Sequence, residues 1–222
     1  MSVAFTHYVG INRHCCLAYY GMLPEYVTVL RMLRPQIEQQ LPDVRIFISC
    51  CDEFLYLLAG EERTVPFSQM ADRRNEFAYI REVTAGLDGA HPLVSLMRES
   101  GLTYRPTPIT PRTGPCLICP DSGNPDRCYR QADRLRSLVR GRGLHPLVVA
   151  GDVHTACQNP DLRPSGADKY SVIDSAAWVV GTENEYTYEA IARGIPTSLL
   201  DTGGTNDLFR FVCPAGEIYR PG

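Results

Sequence analysis

The sequence predicts an α/β protein of two lobes, each a parallel sheet wrapped by helices, with a cleft between the lobes. Three observations carry the prediction. Residues 178–204, WVVGTENEYTYEAIARGIPTSLLDTGG, read as strand, loop, helix, strand, loop. The same alternation runs twice along the chain, once in each half. A proline-rich stretch, Tyr104 to Gly114, separates the halves and has almost no apolar periodicity. The lobes are therefore set at residues 1–105 and 114–222, with a semi-rigid linker at 106–113.

In order, Val3 to Val9 reads as a first strand, followed by a loop from Gly10 through Cys16 to Gly21. Leu23-Pro24-Glu25 starts a helix in the way proline and acids favour. That helix sets Val27, Leu30, Leu33 and Ile37 on one side and is interrupted or kinked at Pro35. Val44 to Cys50 is a second strand, and Asp52 or Glu53 opens a short helix through Leu58. Thr64 to Phe67 reads as a third strand, Ala71 to Gly89 as a weakly periodic helix, and His91 to Leu102 as a clearer helix with a glycine stop.

After the linker, Cys116 to Cys119 is a strand, residues 120–126 a loop, and Arg127 to Arg142 a helix with Ala132, Leu135, Leu138 and Val139 inward. Leu147 to Gly151 is a strand leading into Asp152-Val153-His154. Ala176 to Val180 is a strand buried on both faces. Gly181 to Asn184 supplies turn and cap chemistry, and Arg193-Gly194 closes the next helix. Ile195 to Leu200 is the last predicted strand, left by the Gly-rich loop Asp201-Thr202-Gly203-Gly204. In such βαβ units ligands sit outside the carboxyl ends of the strands. Both loops at that edge carry acids, hydroxyls and glycines.

The bulk properties exclude several classes. The chain has 222 residues and a formal charge of −3, which gives no electrostatic case for nucleic acid or anionic membranes. No run approaches the roughly 18 apolar residues of a membrane span, and the N-terminus lacks signal-peptide features. A soluble, cytoplasmic protein is expected. The cysteine count, nine, is odd, which argues against a disulfide framework. Cys116, Cys119 and Cys128, with His154 or Cys157 as a fourth ligand, have the makings of a zinc site. Only one close pair is present, however, and PCLIC reads equally as a core strand with cysteine as a small hydrophobe. The reading adopted has no metal.

With these pieces in order, the chain resembles GT-B glycosyltransferases, two Rossmann-like lobes in series, and among them the heptosyltransferase-like family. The second half carries CLICPDSGN, QADRLRSLVRGRGL, PLVVAGD and SAAWVVGTENEYTYEAIARGIPTSLL in that family's order and spacing. In the first half, GMLPEYVTVLRMLRPQIEQQLPDVRIFISCCDE and HPLVSLMRESGL are similar to its first helix and second strand, and to the helix that closes the N-terminal lobe. Glu183-Asn184-Glu185 and Tyr188 stand where the family carries Asp-Thr/Ser-Gly and a histidine.

The resemblance implies a transferase that takes a nucleotide-diphosphate sugar as donor substrate, with no cofactor, and a saccharide or other hydroxyl acceptor. It places the acceptor on the N-terminal lobe and the donor on the C-terminal one. Ser122, Gly123 and Asn124 suit the diphosphate, and Arg127 would neutralise the leaving phosphate as a metal otherwise does. Glu183, Asn184, Glu185 and Glu189 would face ribose or sugar hydroxyls. Gly151, Asp152, Thr202 and Gly203 lie at the same strand ends. Glu25 or His14 would deprotonate the acceptor hydroxyl, with inversion at the anomeric carbon and no metal. Glu25 equally serves as a helix-dipole partner. Two other functions fit the same residues: a nucleotide-sugar epimerase or hydrolase of the GT-B-like kind, and a non-catalytic binding or structural protein. Oligomeric state is left open.

Overall fold

The structure, a computed structural model, describes residues 13–83, 91–122, 128–150, 160–164, 170–203 and 206–220. Chain contacts divide it into two compact units, Met1–Arg105 and Pro106–Gly222. The expected strand at Val3 to Val9 lies outside the described residues.

The first unit runs β1 (His14–Tyr19), α1 (Pro24–Gln40), β2 (Arg45–Cys50), a 3₁₀ helix (Asp52–Leu58), β3 (Thr64–Pro66), α2 (Phe67–Arg73), β4 (Tyr79–Glu82) and α3 (Pro92–Glu99). A second 3₁₀ turn, Arg74–Glu76, precedes β4. The strands form one parallel sheet in the order β3-β2-β1-β4. Chain order thus moves outward from β1 to β3 and returns to the other side of β1 for β4. The strand order reverses between β1 and β4.

Two expectations are corrected here. His14–Tyr19, read as part of a loop, is the central strand of this sheet, and its last five residues are buried. Cys15 and Cys16 act there as small hydrophobes, so the segment HCCLAY lacks the aliphatic signature of a central strand. The helix expected over Ala71 to Gly89 is instead the end of α2, a 3₁₀ turn and β4. The half-exposed residues of β4, YIRE, mask the strand period, and pairing to β1 decides the outcome.

Helix α1 buries Val27, Leu30, Leu33 and Ile37 and continues through Pro35. The proline forfeits one bond, to the carbonyl of Arg31. Tertiary ties at the helix's far end help hold it. Glu38 accepts from Arg63 at 2.5 and 3.0 Å and from the Ile46 N–H at 2.7 Å, which fixes the helix to the start of β2.

The second unit runs β5 (Cys116–Cys119), α4 (Ala132–Gly141), β6 (Pro146–Val148), α5 (Ser171–Asp174), β7 (Trp178–Gly181), α6 (Glu185–Ala192), β8 (Thr197–Leu200), α7 (Asp207–Val212) and β9 (Glu217–Tyr219). Its parallel sheet has the order β6-β5-β7-β8-β9. The order reverses between β5 and β7. One core cluster joins Cys116, Ile118, Leu135, Val139, Val148, Val180 and Leu200.

Helix α4 begins five residues later than expected, because the Tyr129 N–H is already bonded to the Pro120 carbonyl at 2.8 Å. Helix α7 and β9 were unassigned in the sequence, and β9 completes the sheet beside β8. The proline-rich residues are packed on this unit. Thr110 N–H donates to the Gly194 carbonyl at 2.8 Å, and Arg112 donates to the Arg193 carbonyl at 3.1 Å. No helix among the described residues is long and apolar enough to cross a membrane.

Candidate functional site

Two loops leave the carboxyl ends of β5 and β7, the strands flanking the reversal in the second unit, where an open α/β sheet leaves a crevice. The first loop brings Asp121 and Ser122, the second Thr182, Glu183 and Asn184. A dense set of hydrogen bonds locks them together. Asn184 is the N-cap of α6, with extended backbone (φ −151°, ψ 171°), and its Oδ1 accepts from the Thr187 N–H at 2.9 Å. Its amide nitrogen faces the Cys119 carbonyl at 3.1 Å, the Asp121 carbonyl at 2.6 Å and Thr182 Oγ1 at 3.2 Å. Thr182 Oγ1 also donates to the Asp121 carbonyl, and Thr187 Oγ1 donates to the Thr182 carbonyl at 2.8 Å. Ser122 Oγ donates to the Glu183 carbonyl at 3.2 Å.

Close packing underlies this arrangement. A Cβ on Gly181 would lie 2.2 Å from Thr187 Oγ1 and 3.1 Å from Cys119 Cβ, so only glycine lets α6 come this near the strand. Thr182, Asn184, Glu185 and Thr187 are all buried, and Glu183 alone in the turn is half-exposed. Its Oε1 accepts from Tyr188 OH at 3.1 Å. Tyr188, the residue in place of the family's histidine, thus orients the one acid of the turn that reaches the surface. Burial pushes the Cys119 thiol up, reinforced by Cys116, Asp121 and Glu185. It is no nucleophile at neutral pH.

The Gly-rich loop follows β8 on the same edge. Asp201 Oδ1 accepts from the Gly203 N–H at 3.2 Å, and Oδ2 pairs with Arg220 at 3.0 Å. Burial raises this carboxyl's pKa, but bonds from Asn206, Gly203 and Arg220 outweigh it and hold Asp201 below the usual carboxylate range. Gly203 has φ +96°, a conformation that disfavours side chains. Asn206 adopts the left-handed region, φ 53°, at the cap of α7.

In the first unit, the chain leaving β1 turns through Tyr20-Gly21-Met22 into α1, and Glu25 sits buried in the helix's first turn. Tyr19 OH accepts from the Leu23 N–H at 3.2 Å. Burial pushes the Tyr19 phenol up to about 12, with the Leu23 N–H opposing and Glu25 adding to the rise. Tyr19 stacks on Tyr26 at 4.6 Å, and Tyr26 meets His91 at 4.5 Å. His91 caps α3 by accepting the Leu93 N–H at its Nδ1.

The predicted residues therefore divide. Glu183, Asn184 and Glu185 gather at the β5/β7 reversal, with Thr202 and Gly203 on the same edge. Ser122 is there too, but its hydroxyl joins the two loops and its N–H faces Cys128 Sγ at 3.3 Å. These bonds tie Ser122 to the second loop and to Cys128. Glu189 is buried and bonded to Arg193 at 2.9 Å, and Arg193 pairs with Asp174 at 2.6 Å. This ties Glu189 to the Arg193 end of α6. His14 opens β1, packed at 5.1 Å on Phe47, while Glu25 follows the opposite end of that strand. At ~3.3 Å per residue, the strand sets the two apart.

Gly123, Asn124, Arg127, Gly151, Asp152, His154 and Cys157 lie outside the described residues. Cys116 and Cys119 are three apart on one strand, so they face opposite sides of the sheet. Among the described residues, no three potential metal ligands converge. Thr182, Thr187 and His91 were not proposed as site residues from sequence. The spacing Thr182-x-Asn184-x-x-Thr187 held a usable signal, a hydroxyl flanking each side of an N-cap.

Two parallel α/β units in series, each with its site-bearing turns at a reversal of strand order, make up the two-lobe fold of GT-B glycosyltransferases. Solved structures bear this out. An E. coli ADP-heptose LPS heptosyltransferase II superposes with a TM-score of 0.61 at 12% identity, covering 93% of this chain and 90% of that one. The E. coli heptosyltransferase WaaC with ADP gives 0.57 at 10% identity, covering 94% and 93%. The iron-containing dodecameric glycosyltransferase TibC from enterotoxigenic E. coli gives 0.54 at 12% identity over 85% of this chain, which spans 58% of that chain's length. No protein-family model and no curated protein sequence matches the chain.

Proposed function

We propose that this protein is a glycosyltransferase that moves a sugar from a nucleotide-diphosphate donor to an acceptor hydroxyl, with inversion and without a metal in the step. The observation that carries the reading is the locked Thr182-Glu183-Asn184 turn at the β5/β7 reversal, which leaves one oriented carboxylate, Glu183, half-exposed beside a helix N-terminus. A carboxylate there suits ribose or sugar hydroxyls, while backbone N–H groups of the loops and the helix suit the diphosphate. Arg127 would neutralise the leaving phosphate.

In the step itself, the acceptor oxygen loses its proton to Glu25 and attacks the anomeric carbon as the bond from that carbon to the phosphate oxygen breaks. The nucleoside diphosphate leaves with the electron pair. The fold likeness to WaaC with ADP puts ADP-sugars first among donors.

The test is release of nucleoside diphosphate from a panel of ADP-, UDP- and GDP-sugars in the presence of mixed saccharide acceptors, with NMR of the product's anomeric proton. The reading expects an inverted product, turnover unchanged by EDTA, and a loss of about 10²- to 10⁴-fold in Glu25→Gln, the range for a general base. Retention, or dependence on a metal, overturns the mechanism. Donor binding without turnover under any acceptor favours the non-catalytic alternative.

A further inference from the structure

The carboxyl edge of the first sheet carries an apolar surface that the reaction above leaves unused. Among the described residues, the exposed large hydrophobics include Met22 (66%), Phe67 (55%) and Tyr56 (39%). Met22 belongs to the turn leaving β1, Tyr56 to the 3₁₀ helix leaving β2, and Phe67 to the first position after β3. Each of the three thus follows the carboxyl end of a different strand of one sheet.

Contacts tie these turns together. Tyr20 and Phe67 have ring centroids 4.7 Å apart, and Tyr20 OH donates to Ser49 Oγ on β2 at 3.3 Å. Cys51 Sγ lies 3.4 Å from the Tyr20 carbonyl, and Asp52 Oδ1 accepts from the Ser68 N–H at 3.2 Å. The rings are therefore held by the frame of the sheet. An exposed Phe and Met fixed on such a frame cost solubility with no gain to the core.

The charge on the turn residues of this edge is acidic, although Arg31 reaches the far end of the 3₁₀ helix, donating to the Leu57 carbonyl at 2.8 Å. Residues 20–23, 51–53 and 67–68 include Asp52 and Glu53 and no lysine or arginine. Bonds from Ser68 lead in holding Asp52 below the usual carboxylate range, so it is charged at neutral pH. Glu53 shares the face of Tyr56, three residues on along a 3₁₀ helix. An anionic acceptor approaching here meets repulsion and finds no cation among these residues.

We infer that the acceptor is an uncharged, hydroxyl-bearing molecule with an apolar face, such as a glycoside with an aromatic aglycone, seated on the Tyr20–Phe67 platform with Met22 at its border. Phosphorylated or carboxylated sugars are disfavoured by Asp52 and Glu53. The inference rests on the glycosyltransferase reading, because Glu25, the proposed base, lies just beyond the same turn.

Saturation-transfer NMR on the whole protein tests it, with p-nitrophenyl β-D-glucoside and glucose 6-phosphate as separate probes. The parent transfers saturation to the nitrophenyl ring and the sugar C–H face, and about tenfold less to the phosphate. Phe67→Ala with Met22→Ser weakens glucoside binding about fivefold to tenfold, as loss of a stacking partner does. Both positions are exposed, so the fold survives, and thermal melting confirms it. Glu53→Lys raises binding of glucose 6-phosphate.

Equal binding of the two probes, no transfer to the glucoside, or full transfer in the Phe67/Met22 variant overturns the inference. Donor stabilisation of the same samples is read separately. If it persists while the glucoside result fails, the acceptor class is wrong and the transferase reading stands. If donor binding is absent, that reading itself fails.

Discussion

Asn184→Ala tests how the site is held. The side chain caps α6, and losing that cap costs about 1 kcal/mol. Its amide also supplies a donor to the Cys119 and Asp121 carbonyls. Each keeps one other partner, Thr182 N–H at 3.0 Å for Cys119 and Thr182 Oγ1 for Asp121. The further cost is therefore about 0.5–1 kcal/mol apiece rather than the full penalty of an orphaned group. The sum is about 2–3 kcal/mol. For a unit of this size that lowers the melting temperature by about 6–9 °C.

Asn184→Asp makes the test sharper. Aspartate caps helices as well as asparagine does, so a purely capping role predicts no loss. In this structure the new carboxylate oxygen would face two carbonyls and a hydroxyl oxygen at the distances given above. The Asp variant should therefore melt at least as low as Ala at pH 7, measured by differential scanning calorimetry. An Asp variant within about 2 °C of the parent would refute the account of the lock.

Gly181→Ala should cost about 1–3 kcal/mol through overpacking, and Thr187→Ala in the same chain should recover part of it, because the clash is with Thr187 Oγ1. A double-mutant cycle on chemical unfolding reads this, and simple additivity would contradict it. Asp201 has a folded pKa below its unfolded value, ordinarily about 3.9. Its contribution is present above that value and is lost as pH falls through the lower folded one. Acid unfolding below about pH 5 should be shallower in Asp201→Asn than in the parent, and parallel pH profiles would sink the assignment.

The parts of the fold legible in sequence are those where one local signal sufficed. The apolar runs at β5, β7 and β8 are buried strands, and Asn184 before a helical pattern is a cap. Glu183 and Asn184 do follow the carboxyl end of β7, as the strand pattern implied. Legibility failed where a distant partner decides. His14–Tyr19 is a strand because β2 and β4 flank it, and Tyr79–Glu82 because β1 is beside it.

The role of Ser122 depends on the Glu183 carbonyl, 61 residues away. That of Glu189 depends on Arg193, whose other partner is Asp174. The Ser122 contact leaves no trace in local composition. Glu189 and Arg193, by contrast, form an i,i+4 pair, and the distant tie is the one to Asp174. The loop assignment of His14 failed for a related reason, since its strand neighbours lie far off in sequence.

The central claim is that the Thr182-Glu183-Asn184 turn binds a nucleotide-activated sugar, and thermal melting with ADP, UDP, GDP, CMP and their sugar conjugates tests it most directly. A ligand at about 100 times its Kd adds about 2.7 kcal/mol to the folded state. One nucleotide class should raise the parent's melting temperature by about 8 °C and leave Glu183→Ala, whose site-facing carboxylate is gone, nearly unmoved. If no nucleotide shifts the parent, or if Glu183→Ala shifts as far as the parent does, the donor site is not at this turn.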